Sequence, residues 1–267
     1  MFSTAPNSIL LQLGSLAIHW YGLLVVVGFV VGFLIMLFLF KKNNLSSDDA
    51  YDLFFYVIVF GIIGARLYYV FYAWQYYSQN LLDVFKIWHG GLAIHGAIIA
   101  AIITIYFYSK RKKWSPWMIA DVIATCVPLS LAIGRWGNYF NQELFGKPTT
   151  LPWSIPIEPA NRPEQYSNFT KFHPTFLYES ILDLILFTVL FIWQKRRRRE
   201  AGSEGQDGII TLFFLIGYSV IRFFMEFLRT DYSPLIFGFR FAQVLSGVVF
   251  FVTLSIVLFF KFRRKWF

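Results

Sequence analysis

Cysteine and charge are what this chain of 267 residues has least of. The single cysteine, Cys126, excludes an internal disulfide, and its place within an apolar stretch suits a small buried hydrophobe. Only 15% of residues are charged, whereas soluble domains carry roughly a quarter. The N-terminus lacks the basic start and small-residue cleavage site of a signal peptide, so the first apolar run is expected to stay as a helix. There is no low-complexity tail, no stretch that reads as a soluble domain and no evident internal repeat.

What is present is apolar. Hydrophobic residues make up 57% and phenylalanine alone accounts for 32 positions, more than a globular fold can hide from water. Seven runs reach the length that spans about 30 Å of hydrocarbon. They lie near His19–Phe40, Tyr51–Trp74, Gly91–Tyr108, Trp117–Ile133, Thr175–Trp193, Ile209–Leu228 and Phe241–Phe260. The expected fold is an all-α polytopic membrane protein of about seven transmembrane helices, a single catalytic domain over residues 1–267. A small irregular extracytoplasmic cap is expected in the proline-bearing segment 134–172.

The net charge of +9 does not imply nucleic acid, because the basic residues fall in short clusters between apolar runs. One alternating set of loops holds Lys41–Lys42, Lys110–Lys113, Lys195–Arg199 and Lys261, Arg263, Arg264 and Lys265, 15 residues in all. The other set holds seven: Lys86, Arg135, Lys147, Arg162, Lys171, Arg229 and Arg240. Positive charge favours the cytoplasm, so the N-terminus is expected outside and the C-terminus inside.

Charges within spans cost about 2.5–3.5 kcal/mol each on insertion scales, so each needs a reason. Four places stand out. In Trp88–Gly96, His95 lies at the outer start of the third span, where it can act as a base or bond a backbone carbonyl. His89, six residues earlier, does not share its helical face as a metal ligand would. In Gly134–Gly146, Arg135, Asn138, Asn141 and Glu143 crowd a helix end. Arginine suits bidentate phosphate recognition, whereas a plain polar turn explains only the glycines and asparagines. In His173–Glu179, Thr175 can cap the fifth span, and Glu179 either complements the helix dipole or pairs with an arginine. In Tyr218–Arg229, Arg222, Glu226 and Arg229 form a stripe at helical spacing. The alternation of spans is expected to bring all four groups to one membrane level, as an anion pocket open to lipid headgroups.

At these residues the chain resembles the prolipoprotein diacylglyceryl transferase family. Gly134–Gly146 has the form G-R-x-G-N-x-x-N-x-E-x-x-G in full. Trp20-Tyr21-Gly22, Gly64-Ala65-Arg66, Gly90–Gly96, His173–Glu179 and Arg222–Arg229 follow in the family's order. The resemblance implies that His95, Arg135 and Arg222 are catalytic or essential, with Tyr21, Asn138, Glu143, Gly146, Glu179, Tyr218, Glu226 and Arg229 around them. The chain departs from the family at His89, where an acidic residue is usual, and at Ala97, where glycine is usual. The implied reaction moves diacylglycerol from phosphatidylglycerol to the lipobox cysteine of a preprolipoprotein in the bacterial inner membrane. It needs neither cofactor nor metal. An anion or lipid transporter competes as a reading, but its paired broken helices are not evident. A metal-dependent phosphatidyl transferase would need clustered aspartates; Asp48-Asp49-Asp52 is explained by helix capping.

Overall fold

The computed structural model describes residues 4–14, 16–197 and 207–262. Arg198, Arg199, Arg263, Arg264 and Lys265 of the basic clusters lie outside the described residues. Helix dominates. A hairpin of β1 (Ile9–Leu13) and β2 (Leu16–His19) leads into α1 (Trp20–Lys42), then α2 (Ser47–Tyr72) and the single turn α3 (Trp74–Tyr77). Two 3-10 turns precede α4 (Ile94–Arg111) and α5 (Pro116–Phe140). The short pair β3 (Ile155–Pro156) and β4 (Lys171–Phe172) leads to α6 (Thr175–Arg196) and α7 (Ile209–Met225). The chain closes with the hairpin of β5 (Leu235–Ile236) and β6 (Phe239–Arg240) and with α8 (Phe241–Phe262).

Among the described residues five helices, α1, α2, α5, α6 and α8, are long and apolar enough to cross a bilayer, as a polytopic membrane protein requires. Their outward surfaces are greasy: Phe29, Phe55 and Phe251 are all more than half exposed, which water would not tolerate in such number. Helix α7 has 17 residues, about 25 Å at 1.5 Å per residue, and α4 ends on Lys110 and Arg111.

Two boundaries differ from the sequence expectation. The run starting at Gly91 becomes helical only at Ile94, because Gly90 and Gly91 take φ of 84° and 76° and form a turn. The segment from Gly134, expected as an irregular loop, continues α5 to Phe140, making that helix 25 residues long. Its polar side chains find partners in the protein, so the helix need not end where the apolar run does.

The chain divides into two compact units, Met36–Ala120 and the combination of Met1–Ile35 with Asp121–Phe267. In the smaller unit α2 and α4 meet through glycine. A Cβ on Gly64 would lie 2.6 Å from the carbonyl oxygen of Gly96, so the two backbones touch. Ala93 N donates to Ala65 O at 3.1 Å beside this contact. Arg66, also on α2, is buried and spends its guanidinium on main-chain carbonyls. It donates to Asp83 and Lys86, to Val84 at 2.8 Å, to Gly90 at 2.8 Å and to Gly91 at 3.0 Å. This arginine is an internal strut that ties the segment before α4 to α2.

In the larger unit Ser130 on α5 donates to Gly28 O on α1 at 2.8 Å. Asp121, fully buried on α5, clasps the start of α7. Its carboxylate accepts from Gly208 N at 2.9 Å and from both N and Oγ1 of Thr211 at 2.8 Å, and pairs with Arg197 at 2.9 Å. The segment between α5 and α6 has a small core of its own, in which Phe145, Ile155, Ile157, Phe172 and Phe176 are buried together.

Candidate active site

Four elements of the larger unit bring arginines and carboxylates to one place. Arg135 projects from the last turns of α5, and its Nε lies 2.6 Å from Glu179 Oε2 on α6. The other Glu179 oxygen is 3.5 Å from Arg229 Nη1. Arg222 Nη1 is 2.7 Å from Glu226 Oε2, one turn further along the chain, and Arg240 Nε is 2.6 Å from Glu226 Oε1. Arg229 Nε donates to Asp231 Oδ1 at 2.8 Å.

Glu179 and Glu226 therefore lie at the bottom of the cluster, 3% and 1% exposed, each shared between arginines. Arg135 and Arg222 stand nearer the opening, with side chains 15% and 22% exposed. Among the described residues Arg135 is engaged only through Nε, and Arg222 only through Nη1. The terminal nitrogens of Arg135, and Nε and Nη2 of Arg222, are left to meet an anion from outside. Planar donors fixed from behind by buried carboxylates make a rigid receptor for phosphate oxygens.

Buried ion pairs are vulnerable to losing one partner. Replacing Glu226 by glutamine leaves Arg222, Arg229 and Arg240 facing one another with a neutral acceptor between them. Full truncation of such a partner costs about 3–5 kcal/mol, and because the amide oxygen still accepts, Glu226→Gln is expected to cost about 2–3 kcal/mol. Thermal unfolding of the detergent-solubilised protein reads this directly. An unchanged melting temperature would show that Glu226 does not hold the cluster together.

The segment after α5 is shaped by strain and by glycine. Gln142 and Leu144 take φ of 51° and 56°, a region rarely occupied by side-chain-bearing residues. Buried Asn138 donates to Glu143 Oε1 at 2.7 Å across this turn. Gly146 N donates to His173 O at 2.9 Å, and a Cβ there would lie 2.7 Å from the His173 Cβ and 3.2 Å from Leu228 O. Gly146 thus lets this segment bridge to the backbone of Arg229. Thr175, expected as a cap, is the first residue of α6 and bonds Leu144 O instead; Pro174 stands at the cap position with no side-chain hydrogen bond, because the Thr175 hydroxyl fastens the preceding turn. His173 Nδ1 lies 3.2 Å from the Tyr178 hydroxyl, and burial pulls its imidazole below the usual histidine range.

Of the residues singled out from sequence, the structure brings Arg135, Glu179, Arg222, Glu226 and Arg229 into one cluster. Glu179 takes the sharper of its two readings, as an arginine's partner. Tyr21 packs against Gly137, where a Cβ would meet its ring at 2.7 Å, and Tyr218 stacks on Phe214 with centroids 5.8 Å apart. His95 belongs to the smaller unit, where it stands exposed in the first turn of α4 and stacks on Tyr68 at 5.8 Å. Among the described residues it bonds no backbone carbonyl, the structural role held open for it. His89 is exposed beside Trp88.

Sequence reasoning passed over Arg240 and Asp183. Arg240 reaches Glu226 because the β5–β6 hairpin reverses the chain at Phe237-Gly238, both at positive φ, a fold-back that no helical spacing announces. Asp183 is fully buried, its Oδ2 4.0 Å from Arg135 Nε. Its spacing of four from Glu179 within an apolar run was a usable signal. Among the described residues no group of three or more metal-binding side chains is assembled.

A sequence profile of the family described as prolipoprotein diacylglyceryl transferase matches residues 8–260. A relative from Acaryochloris marina is 42% identical over 247 residues, covering 91% of this chain and 86% of its own. One from Fervidobacterium nodosum is 40% identical over 242 residues, covering 90% and 80%. One from Thermotoga maritima is 40% identical over 240 residues, covering 89% and 79%. All three are named phosphatidylglycerol--prolipoprotein diacylglyceryl transferase.

Proposed function

Since the chain belongs to the prolipoprotein diacylglyceryl transferase family, we propose that it transfers the diacylglyceryl group of phosphatidylglycerol to the lipobox cysteine of preprolipoproteins. The single observation that carries this reading is the pair of arginines, Arg135 and Arg222, backed by buried glutamates and with donors still open. Sulfur attacks the glyceryl carbon that bears the phosphate, a C–S bond forms and the C–O bond to phosphate breaks. The phosphodiester enters with one negative charge, and the departing glycerol phosphate carries a second once the thiol proton is lost. Arg135 and Arg222 face that growing charge in a site of low dielectric, where fixed donors act most strongly. Arg229 and Arg240 keep Glu179 and Glu226 from cancelling it. Asn138 with Glu143, Tyr21 and Tyr218 are assigned to the hydroxyls and ester oxygens of the lipid, and Gly146 to the close packing that seats Arg229. His95 takes the thiol proton or orients the thiol. The reactive cysteine belongs to the substrate; Cys126 is buried. No step calls for a cofactor or a metal.

The same reading makes residues 1–267 one catalytic domain with seven spans in the bacterial inner membrane. Helices α4 and α7 complete the five longer ones, and the segment 134–172, whose first residues close α5, forms an extracytoplasmic cap. The N-terminus lies outside and the C-terminus in the cytoplasm, on the 15 to 7 division of basic residues. Single cysteines in 147–172 are expected to react with an impermeant thiol reagent in intact cells, and those in 198–207 only after lysis. The reverse pattern overturns the orientation. The function itself is tested by purified protein, phosphatidylglycerol and a synthetic lipobox peptide. Mass spectrometry should find the peptide heavier by one diacylglyceryl group and glycerol phosphate released. Unmodified peptide with active relatives run in parallel would reject the assignment.

A further inference from the structure

Beside the arginine cluster's helix, the larger unit holds a cavity of about 750 Å³, well within the size of ligand sites. Its walls are the segment around Pro6–Ser8, the first turn of α1, the end of α5, and the turn Pro159–Asn161 with Glu158 before it. These walls are fastened to one another. Buried Gln142 donates to Pro6 O at 3.0 Å and accepts from Glu158 N at 2.8 Å, so one carboxamide pins two of them. Trp20 N donates to Ser8 O at 3.0 Å, and the Trp20 ring stacks on Phe140 with centroids 4.6 Å apart.

Among the polar side chains that line the space, those of Ser8, His19, Tyr21, Asn141, Glu158 and Asn161 bond no other described residue. No lysine or arginine lines it. A phosphate would find no cation there, and the arginine cluster already offers one. Carboxamides each donate and accept, which matches the alternating N–H and C=O groups of an extended polypeptide, and Phe140 supplies an apolar wall between them.

We propose that this cavity holds the main chain of the acceptor polypeptide next to its reactive cysteine, with Asn141 and Asn161 gripping backbone amides. The inference rests on the proposed transferase reading and divides its two substrates: the lipid phosphate goes to the arginines, the peptide to this chamber without a lysine or arginine. Asn161 lies outside every motif that carries the family resemblance, so it is a clean probe.

The experiment measures KM for a synthetic lipobox peptide and for phosphatidylglycerol in mixed micelles. Asn161→Trp fills the cavity and is expected to raise the peptide KM about tenfold or more; Asn161→Ala, which removes one or two hydrogen bonds, should raise it about threefold to tenfold. In both variants the lipid KM should stay within twofold of the parent. A rise in the lipid KM instead would assign the cavity to the lipid's polyol headgroup, and no rise in either would leave it without a substrate; both overturn the proposal. Because Asn161→Trp can fail to fold, benzoylphenylalanine at position 161 supplies a second measurement. It should photocrosslink to the peptide, and excess unlabelled peptide should suppress the product. Absence of a crosslink in a variant that still lipidates the peptide counts against the site. Failure of the parent protein to lipidate any peptide would instead sink the transferase reading on which the site depends.

Discussion

Arg135→Lys is expected to insert normally and to lose about 10²–10³ in transfer rate, the usual loss when one fixed donor is removed from a developing anion. Lysine keeps the positive charge but offers a single flexible ammonium in place of a planar fork. In the structure Arg135 meets Glu179 through Nε, and among the described residues its two terminal nitrogens make no hydrogen bond, so they can face a phosphate side by side. Lysine has no nitrogen at the Nε position to keep while presenting others, so it must choose between Glu179 and the substrate. The check is single-turnover lipidation of a peptide by equal amounts of folded protein, with thermal unfolding run alongside. Turnover near that of the parent would show that charge alone is wanted at this position and would remove the bidentate role.

The second large effect is expected at His95. General-base assistance is worth about 10²–10⁴ in rate, so His95→Ala should reduce transfer by that factor while His89→Ala costs little. A free thiol titrates near pH 8.5, so if the imidazole removes its proton, raising the pH from 6.5 to 9 should partly restore His95→Ala. Loss at every pH would mean that the ring positions substrate or, through its stacking on Tyr68, holds α4, and takes no proton. An inactive His89→Ala beside an active His95→Ala would reverse the assignment.

What could be read from the residues alone followed from patterns that local chemistry enforces. Apolar runs announced the helices because a bilayer leaves few other structures able to satisfy the backbone. Arg222 and Glu226 announced their pairing because four residues is one helical turn. Glu179 was ambiguous: its contact with Arg135 joins positions 44 apart in sequence, and only tertiary packing selects that partner over the helix dipole. The end of α5 was misplaced for a related reason. Gly134 through Asn138 looks like a water-exposed turn when judged by polarity, but Arg135 and Asn138 have their polar partners inside the protein, and the helix carries on. Arg66 was visible as a costly charge in a span, yet nothing local told that its partners are carbonyls supplied by a segment some 20 residues later.

Asp121 has a consequence for how the protein is made. Its partners Arg197, Gly208 and Thr211 follow it by 76, 87 and 90 residues. At about 5–20 residues per second a ribosome needs roughly 4–18 s to deliver them. During that interval α5 is complete while its clasp is not, and the carboxylate has neither its cation nor its amide donors. The clasp between α5 and the start of α7 therefore closes late, and a nascent chain stopped short of Arg197 would present quality-control proteases with a helix whose buried carboxylate has no partner.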